Sequence, residues 1–376
     1  VDTPAALQRV TAAVRASKKV YFDLEADSMH HYYAKICLMQ VLANGKCFLV
    51  DPLAKGMNVK PFLEALAVKP VIGHGIDYDL RMLFAEHGFK PREIFDTMLA
   101  AQLLGRSAFG LAALVQDRFG VTLVKEGQKA DWSRRPLSAD LLEYAAQDTF
   151  YLPGLHASLT QELASRGRLD WHRESCEALI RATQRVKEAD PDLAWRITGS
   201  SRFSRRQLAV LKGMWEVREQ QGRDRDLPSY KILPADILLR FAESVPDEGE
   251  PEDVPRLPSR LNPDFRDRLL DAFEDALDAD PKDWPHLLPP PKRPPRAPHP
   301  DLLITLRDIR DGIAKKLALD PSLIAPKAVM LSTALALTRP DATPENVRES
   351  AQWMRWQENL LLAEWTHAAE KYKRKK

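Results

Sequence analysis

The sequence predicts an α/β domain built on a mixed sheet, followed by two all-helical units. Three observations carry this. Strand-like runs at 20–25, 36–42 and 47–50 follow one another closely, with an Asn44-Gly45 turn between the last two, so they pair antiparallel. Strand–helix alternation then runs from Val71 to Phe119, which adds strands to that sheet and places helices on both its faces. From Arg202 onward the apolar residues recur at helical spacing, among many basic residues.

In chain order, Leu7, Val10 and Val14 mark a helix over 4–16. The first strand, Val20 to Glu25, alternates Phe22 and Leu24 on one face with Asp23 and Glu25 on the other. A helix over 61–67 leads to a buried strand at 71–75. The run DLRMLFAEHG reads as a helix capped by Asp77. A short strand at Ile94-Phe95 precedes helices at 97–104, where Asp96 is the cap, and at 110–119. Residues 123–136 have no period and carry a local basic excess: Lys125, Lys129, Arg134 and Arg135 against Glu126 and Asp131. Ser138 caps one long helix that carries LLEYAAQDTFYLPGL.

The chain divides into 1–195, a first helical domain at 200–284, a proline-rich linker at 285–300 and a second helical domain with a basic tail at 301–376. Segments 208–241 and 303–336 share a helix–loop–helix plan and form a candidate internal repeat. The basic start of the first helical domain, Arg202, Arg205 and Arg206 with Lys212 and Arg218, supplies either phosphate contacts or a packing face.

Composition excludes several classes. A net charge of +2 over 376 residues gives no global basic field, so any nucleic-acid surface is local. Three cysteines without a CxxC pair fit a reducing compartment. No signal pattern and no spanning apolar run are present, so a cytoplasmic protein without a membrane partner is expected; no protein partner is evident.

The chemistry lies in acids. Asp23 and Glu25 project from one side of a strand, about 6 to 7 Å apart. They repel one another unless a cation sits between them, and a hard divalent metal suits an all-oxygen set; the alternative is a solvated strand face. Asp79 begins a helix just past a strand. Tyr144 and Asp148, four apart, share one helix face, with Asp148 among Leu141, Ala145 and Leu152. A carboxylate in that stripe is costly unless paired or metal-bound.

Together these residues resemble the DEDD superfamily of 3′→5′ exonucleases. The order is D-x-E, then GHGIDYDLRML, then Y-x-x-x-D. FDTMLAAQLLG, GLAALVQDRFGV and KADWSRRPLSADLLEYAAQDTFYL are similar to the ribonuclease D branch across residues 18–165. The helical segments resemble HRDC domains. The resemblance implies a ribonuclease H-like mixed-sheet exonuclease domain followed by two all-α HRDC domains. It assigns metal binding to Asp23, Glu25, Asp79 and Asp148, and water positioning to Tyr144, which marks the tyrosine-containing branch. It implies two divalent ions, Mg²⁺ or Mn²⁺, and RNA with a free 3′ end, tRNA precursors above all, as substrate. Substrate-contact candidates are His74, Met29, Lys125, Lys129, Trp132 and Arg134; a structural role competes for each, as it does for buried Gln40.

A DNA exonuclease of proofreading type shares the acids and is the first alternative. A non-catalytic nucleic-acid-binding module is the second, and all four acids argue against it. A nucleotide-binding α/β domain would need a GxGxxG or GxxxxGK[ST] loop, which the sequence lacks.

Overall fold

The computed structural model describes residues 1–123, 127–185, 190–289, 298–339 and 342–372. Helix α1 (Pro4–Ala16) starts at Thr3, whose hydroxyl accepts from the Ala6 amide, with Pro4 in the first turn. Strands β1 (Val20–Ala26), β2 (Ile36–Ala43) and β3 (Lys46–Val50) form an antiparallel set. Asn44 and Gly45 turn between β2 and β3 with φ of 49° and 72°, the left-handed pair such a two-residue hairpin needs. Helix α2 (Lys60–Ala67), β4 (Pro70–Gly73), α3 (Asp77–His87) and β5 (Glu93–Asp96) follow. Strands β4 and β5 run parallel to β1, giving one mixed sheet in the order β3-β2-β1-β4-β5.

The two faces of β1 part as its alternation predicts. Val20, Phe22 and Leu24 enter a core with Leu7, Val10 and Val14 of α1 and Phe62, Leu63 and Leu66 of α2. The other face is covered by helix α6. Helices α4 (Thr97–Leu103) and α5 (Leu111–Phe119) lead to α6 (Ala139–Phe150), which is capped by Ser138 and packs on β1, β2 and β3. The long helix read from sequence breaks at Tyr151 and resumes as α7 (Leu152–Ser165). Pro153 lacks the N–H that an uninterrupted helix would use and sits in the first turn of the new one. Helix α8 (Leu169–Thr183) packs against α3, α4 and β5.

The remaining helices are α9 (Pro191–Ala194), α10 (Arg205–Arg225), α11 (Ser229–Ile232), α12 (Ala235–Glu243) and α13 (Pro263–Asp278), then α14 (Pro300–Leu317), α15 (Pro321–Ile324), α16 (Lys327–Leu337), α17 (Pro344–Ala351) and α18 (Arg355–Ala369). The chain forms two compact units: Val1–Ala26, Ile36–Val186 and Arg293–Lys376 in one, Asp27–Lys35 and Lys187–Lys292 in the other. In the first, Leu302, Leu306, Leu361 and Trp365 share a core with Leu155 and Leu159 of α7, and Trp171 stacks on Trp356 at 4.9 Å. In the second, Tyr32 donates to Glu219 and Tyr230 to the Met29 carbonyl. The segment after β1 is therefore held by helical side chains.

The internal repeat is visible in detail. Helices α10 and α14 both end in a left-handed residue, Asp226 and Ala318. In each, an arginine (Arg218 or Arg310) bonds the acid that follows it, Glu219 or Asp311, and a carbonyl fifteen residues on, Leu233 or Ala325. The arginines at the start of α10 are engaged internally. Arg205 donates to the carbonyls of Pro281, Trp284 and Pro285, Arg206 to those of Pro246 and Gly249, and Arg202 pairs with Glu243. Of the two roles open for them, packing is the one observed. Among the described residues no helix is long and apolar enough to cross a membrane.

Candidate active site

Asp23 and Glu25 project from β1 toward α6, and Asp148 comes down from that helix to meet them. Carboxylate oxygens of Asp23, Glu25 and Asp148 lie within 4.8 Å of one another. Asp79 stands beside this group, 8% exposed in the first turn of α3. Burial and the surrounding acids set the electrostatics. Burial pushes Asp23 well above the usual carboxylate range, with Asp79, Asp148 and Glu25 adding to the rise. Burial, then Asp148 and Asp79, takes Glu25 to about 8. Asp79 also reaches about 8, through burial, Asp96, Asp148 and Asp77. Burial takes Asp148 to about 7. No lysine or arginine lowers any of the four. Four carboxyls so placed, without a basic side chain to offset them, fit a hard divalent cation with oxygen ligands. Gln40 adds an orphan: it faces Asp23 across the β1–β2 register, is fully buried, and neither amide atom has a hydrogen-bond partner.

The turn that leads into α3 and Asp79 is held by Asp96, which is more than a helix cap. Asp96 caps α4 through the amides of Met98 and Leu99, and its carboxylate also accepts from Gly75 and Ile76. It ties the turn before α3 to the start of α4. Asp77 is not the cap of α3: the helix is preceded by Ile76, and Asp77 instead pairs with Arg81 one turn on. The Gly73 hydrogen cannot be a methyl group, because a Cβ there would lie 2.0 Å from Ile76 and 3.1 Å from the Phe22 carbonyl.

Tyr144 lies on α6 one turn before Asp148. Burial, then Asp148, Glu25 and Asp23, pushes its phenol upward, while a hydrogen bond with Gln128 acts the other way. The phenol therefore keeps its proton at neutral pH and is a donor there. The backbone of Gly127 presses on its ring: a Cβ on Gly127 would meet the ring at 2.4 Å. No motif pointed to Gly127; its sequence signal is only a glycine in an aperiodic loop.

The other candidates divide. His74 lies between β4 and α3, and burial lowers it to about 4, so it is neutral. The Thr97 hydroxyl donates to the Gly73 carbonyl, so the 2.9 Å contact with His74 is a donation from Nδ1, which leaves Nε2 as an acceptor. Trp132 is 1% exposed, packed with Cys37, Leu38 and Ala145. Its faces are covered, so it fastens the loop and does not present a stacking surface. Arg134 pairs with Asp131, and Lys129 is exposed. Arg135, counted in sequence only as part of a basic excess, grips Asp51 with two nitrogens and donates to the Cys37 and Trp132 carbonyls. Met29 belongs to the other compact unit. Lys125 lies outside the described residues.

A family model described as a 3′-5′ exonuclease matches residues 1–164. Over 298 residues the chain is 30% identical to the ribonuclease D of Nitrobacter hamburgensis, covering 77% of each. This chain belongs to the ribonuclease D family. Its fold agrees: it matches a structure of Escherichia coli RNase D, described as an exoribonuclease involved in structured RNA processing, with a TM-score of 0.71 and 24% identity, covering 100% of this chain and 99% of the other. A protein from Bifidobacterium adolescentis matches with a TM-score of 0.79 and 25% identity over 98% and 96% of the two chains. As a ribonuclease D family member the chain is a hydrolytic 3′→5′ exoribonuclease; divalent-metal dependence is typical of the family, and the acid cluster is of the kind that could hold a metal ion.

Proposed function

We propose that this chain trims the 3′ ends of structured RNA, tRNA precursors above all, by hydrolysis that releases nucleoside 5′-monophosphates, with two divalent ions, Mg²⁺ or Mn²⁺. The observation that carries this reading is the meeting of Asp23, Glu25 and Asp148 oxygens within 4.8 Å, with buried Asp79 alongside. Asp23, Glu25 and Asp148 would hold one ion; Asp23, with support from Asp79, would hold the other. When bound, such ions lower the pKa of water and offset charge on the leaving oxygen. The chain's own part is to position and to hold protons. Asp23 and Glu25 are fixed at alternate positions of a strand whose other face is core. Tyr144 stays protonated, so its hydroxyl can donate to and orient a water or phosphate oxygen and has no role as a base.

The preference for RNA is supported by the relatives, whose active-site acids a DNA exonuclease would share. The experiment offers the protein three substrates with Mg²⁺: a 3′-extended tRNA, a DNA of matched 3′ overhang, and a circular RNA of the same sequence. Stepwise shortening of the first, slower loss of the second and survival of the third are expected. Internal cuts in the circle, or DNA consumed faster than RNA, would contradict the reading.

A further inference from the structure

A second feature of the same compact unit lies along α8. Its outer face and the residues Gln352–Arg355, which lead into the start of α18, enclose a cleft of about 620 Å³. Arg173, Arg181, Arg185 and Arg355 line it against only Glu174 and Glu177. The arginines outnumber the two acids among the lining residues. Glu174 accepts from the Trp356 amide, and Glu177 forms no salt bridge among the described residues. Arg173 pairs with Asp170 in solvent. Arg181 and Arg185 form no salt bridge among the described residues, Arg355 acts on nearby Glu358 and helps lower its pKa, and all three arginines are exposed. The walls are fixed by other contacts: Trp171 stacks on Trp356, whose amide donates to Glu174. The cleft is thus preformed, positively charged and arginine-based.

One contact ties it to helix α3. Arg81, two residues past Asp79 on α3, donates to the carbonyl of Ala182, which lines the cleft. Arg173 and Arg181 lie on one side of α8, about 12 Å apart along its axis. A planar guanidinium suits phosphate oxygens better than a compact ammonium does, because two N–H groups can reach two oxygens at once.

We propose that this cleft binds the phosphodiester backbone of the RNA upstream of its scissile 3′ end. The proposal rests on the exoribonuclease reading and extends it to a second contact, one that holds the body of the RNA while its end is trimmed. The residues read from sequence for that task, at the start of α10, are engaged with carbonyls and acids of their own unit, which leaves the task to another surface.

The test is binding of the full-length protein to a fluorescent 20-nucleotide single-stranded RNA in EDTA, so that hydrolysis plays no part. Arg181→Glu/Arg185→Glu should weaken binding about tenfold. It should also make the slope of log affinity against log salt shallower by about 1.4, two phosphate contacts at 0.7 each. Arg181→Lys/Arg185→Lys should recover most of the slope. A control, Arg9→Glu/Arg15→Glu on α1, carries the same change in net charge at another exposed site. An unchanged affinity in the cleft variant, or an equal loss in the control, overturns the proposal. A tighter grip on an acidic peptide than on the RNA also overturns it. Failure of the exoribonuclease reading would instead show as unmodified protein that binds the RNA but, given Mg²⁺, does not shorten it.

Discussion

The two faces of β1 are made from the same seven residues and do opposite work. Phe22 and Leu24 are buried among α1 and α2 side chains and hold the sheet together. Asp23 and Glu25, one residue away in each case, face α6, and burial together with the neighbouring Asp79 and Asp148 raises the pKa of both. The apolar face stabilises the fold through area removed from water. The acidic face opposes it until a cation arrives. The difference teaches that the period of a strand can separate stability from chemistry within a single element, so each can be altered alone.

The largest expected effect removes the chemistry and leaves the fold. Asp23→Asn replaces a carboxylate at the centre of the acid group with a neutral amide. Turnover on a 3′-extended RNA should fall by about a thousandfold or more. The thermal midpoint without metal should not fall, because one buried repelling acid is gone. A midpoint several degrees lower would show that Asp23 belongs to the stabilising face after all.

Phe22→Ala tests the other side. Truncating a fully packed phenylalanine should lower unfolding free energy by about 3 to 5 kcal/mol. Denaturant titration would measure it, and the folded fraction should retain the native rate per molecule. A loss near zero would dissolve the contrast between the faces.

Tyr144→Phe sharpens the account of the acidic face. Removal of one hydroxyl should slow single-turnover hydrolysis by roughly ten- to a thousandfold, with RNA affinity nearly unchanged. An unaltered rate would make the ring a packing element. A smaller change is expected from Gly127→Ala. The added methyl would press into the Tyr144 ring, so the loop or the ring must shift; a rate reduction of about tenfold, partly recovered at higher RNA concentration, is the expected outcome. Equal kinetics would mean that the loop gives way freely.

Much of this was legible in the chain because it is local. The D-x-E spacing on a strand, the Tyr144–Asp148 spacing on a helix and the Asn44-Gly45 turn each follow from one period or one backbone requirement. What was not legible joins distant segments. Asp96 looks like an ordinary cap until the Gly75 and Ile76 amides are seen to reach it. Arg135 reads as one charge in a basic loop until Asp51 appears opposite. Arg205 and Arg206 read equally well as phosphate contacts, because nothing local says that carbonyls dozens of residues later will occupy them. Trp132 likewise reads as a stacking platform or a plug, and its neighbours Cys37 and Ala145 decide for the plug. The break at Tyr151 lay within reach, since Pro153 marks it.

The acidic face also makes a statement about pH. Glu25 and Asp79 are raised to about 8 and Asp148 to about 7, whereas in the unfolded chain all three ionise near 4. Between those values the folded state binds more protons than the unfolded state. Stability of the metal-free protein contributed by these groups is therefore full below about pH 4 and is lost as pH rises through 7 to 8. A bound cation must displace those protons, so its binding should strengthen over the same window.

The most direct test of the acidic face as a cation site is the rise in thermal midpoint caused by 10 mM Mg²⁺, measured at pH 6 and pH 8 for the unmodified protein and for Asp23→Asn. The account predicts a larger rise at pH 8 than at pH 6 in the unmodified protein, and little or none in Asp23→Asn at either pH. An equal rise in both proteins, or a rise that shrinks toward pH 8, would contradict it.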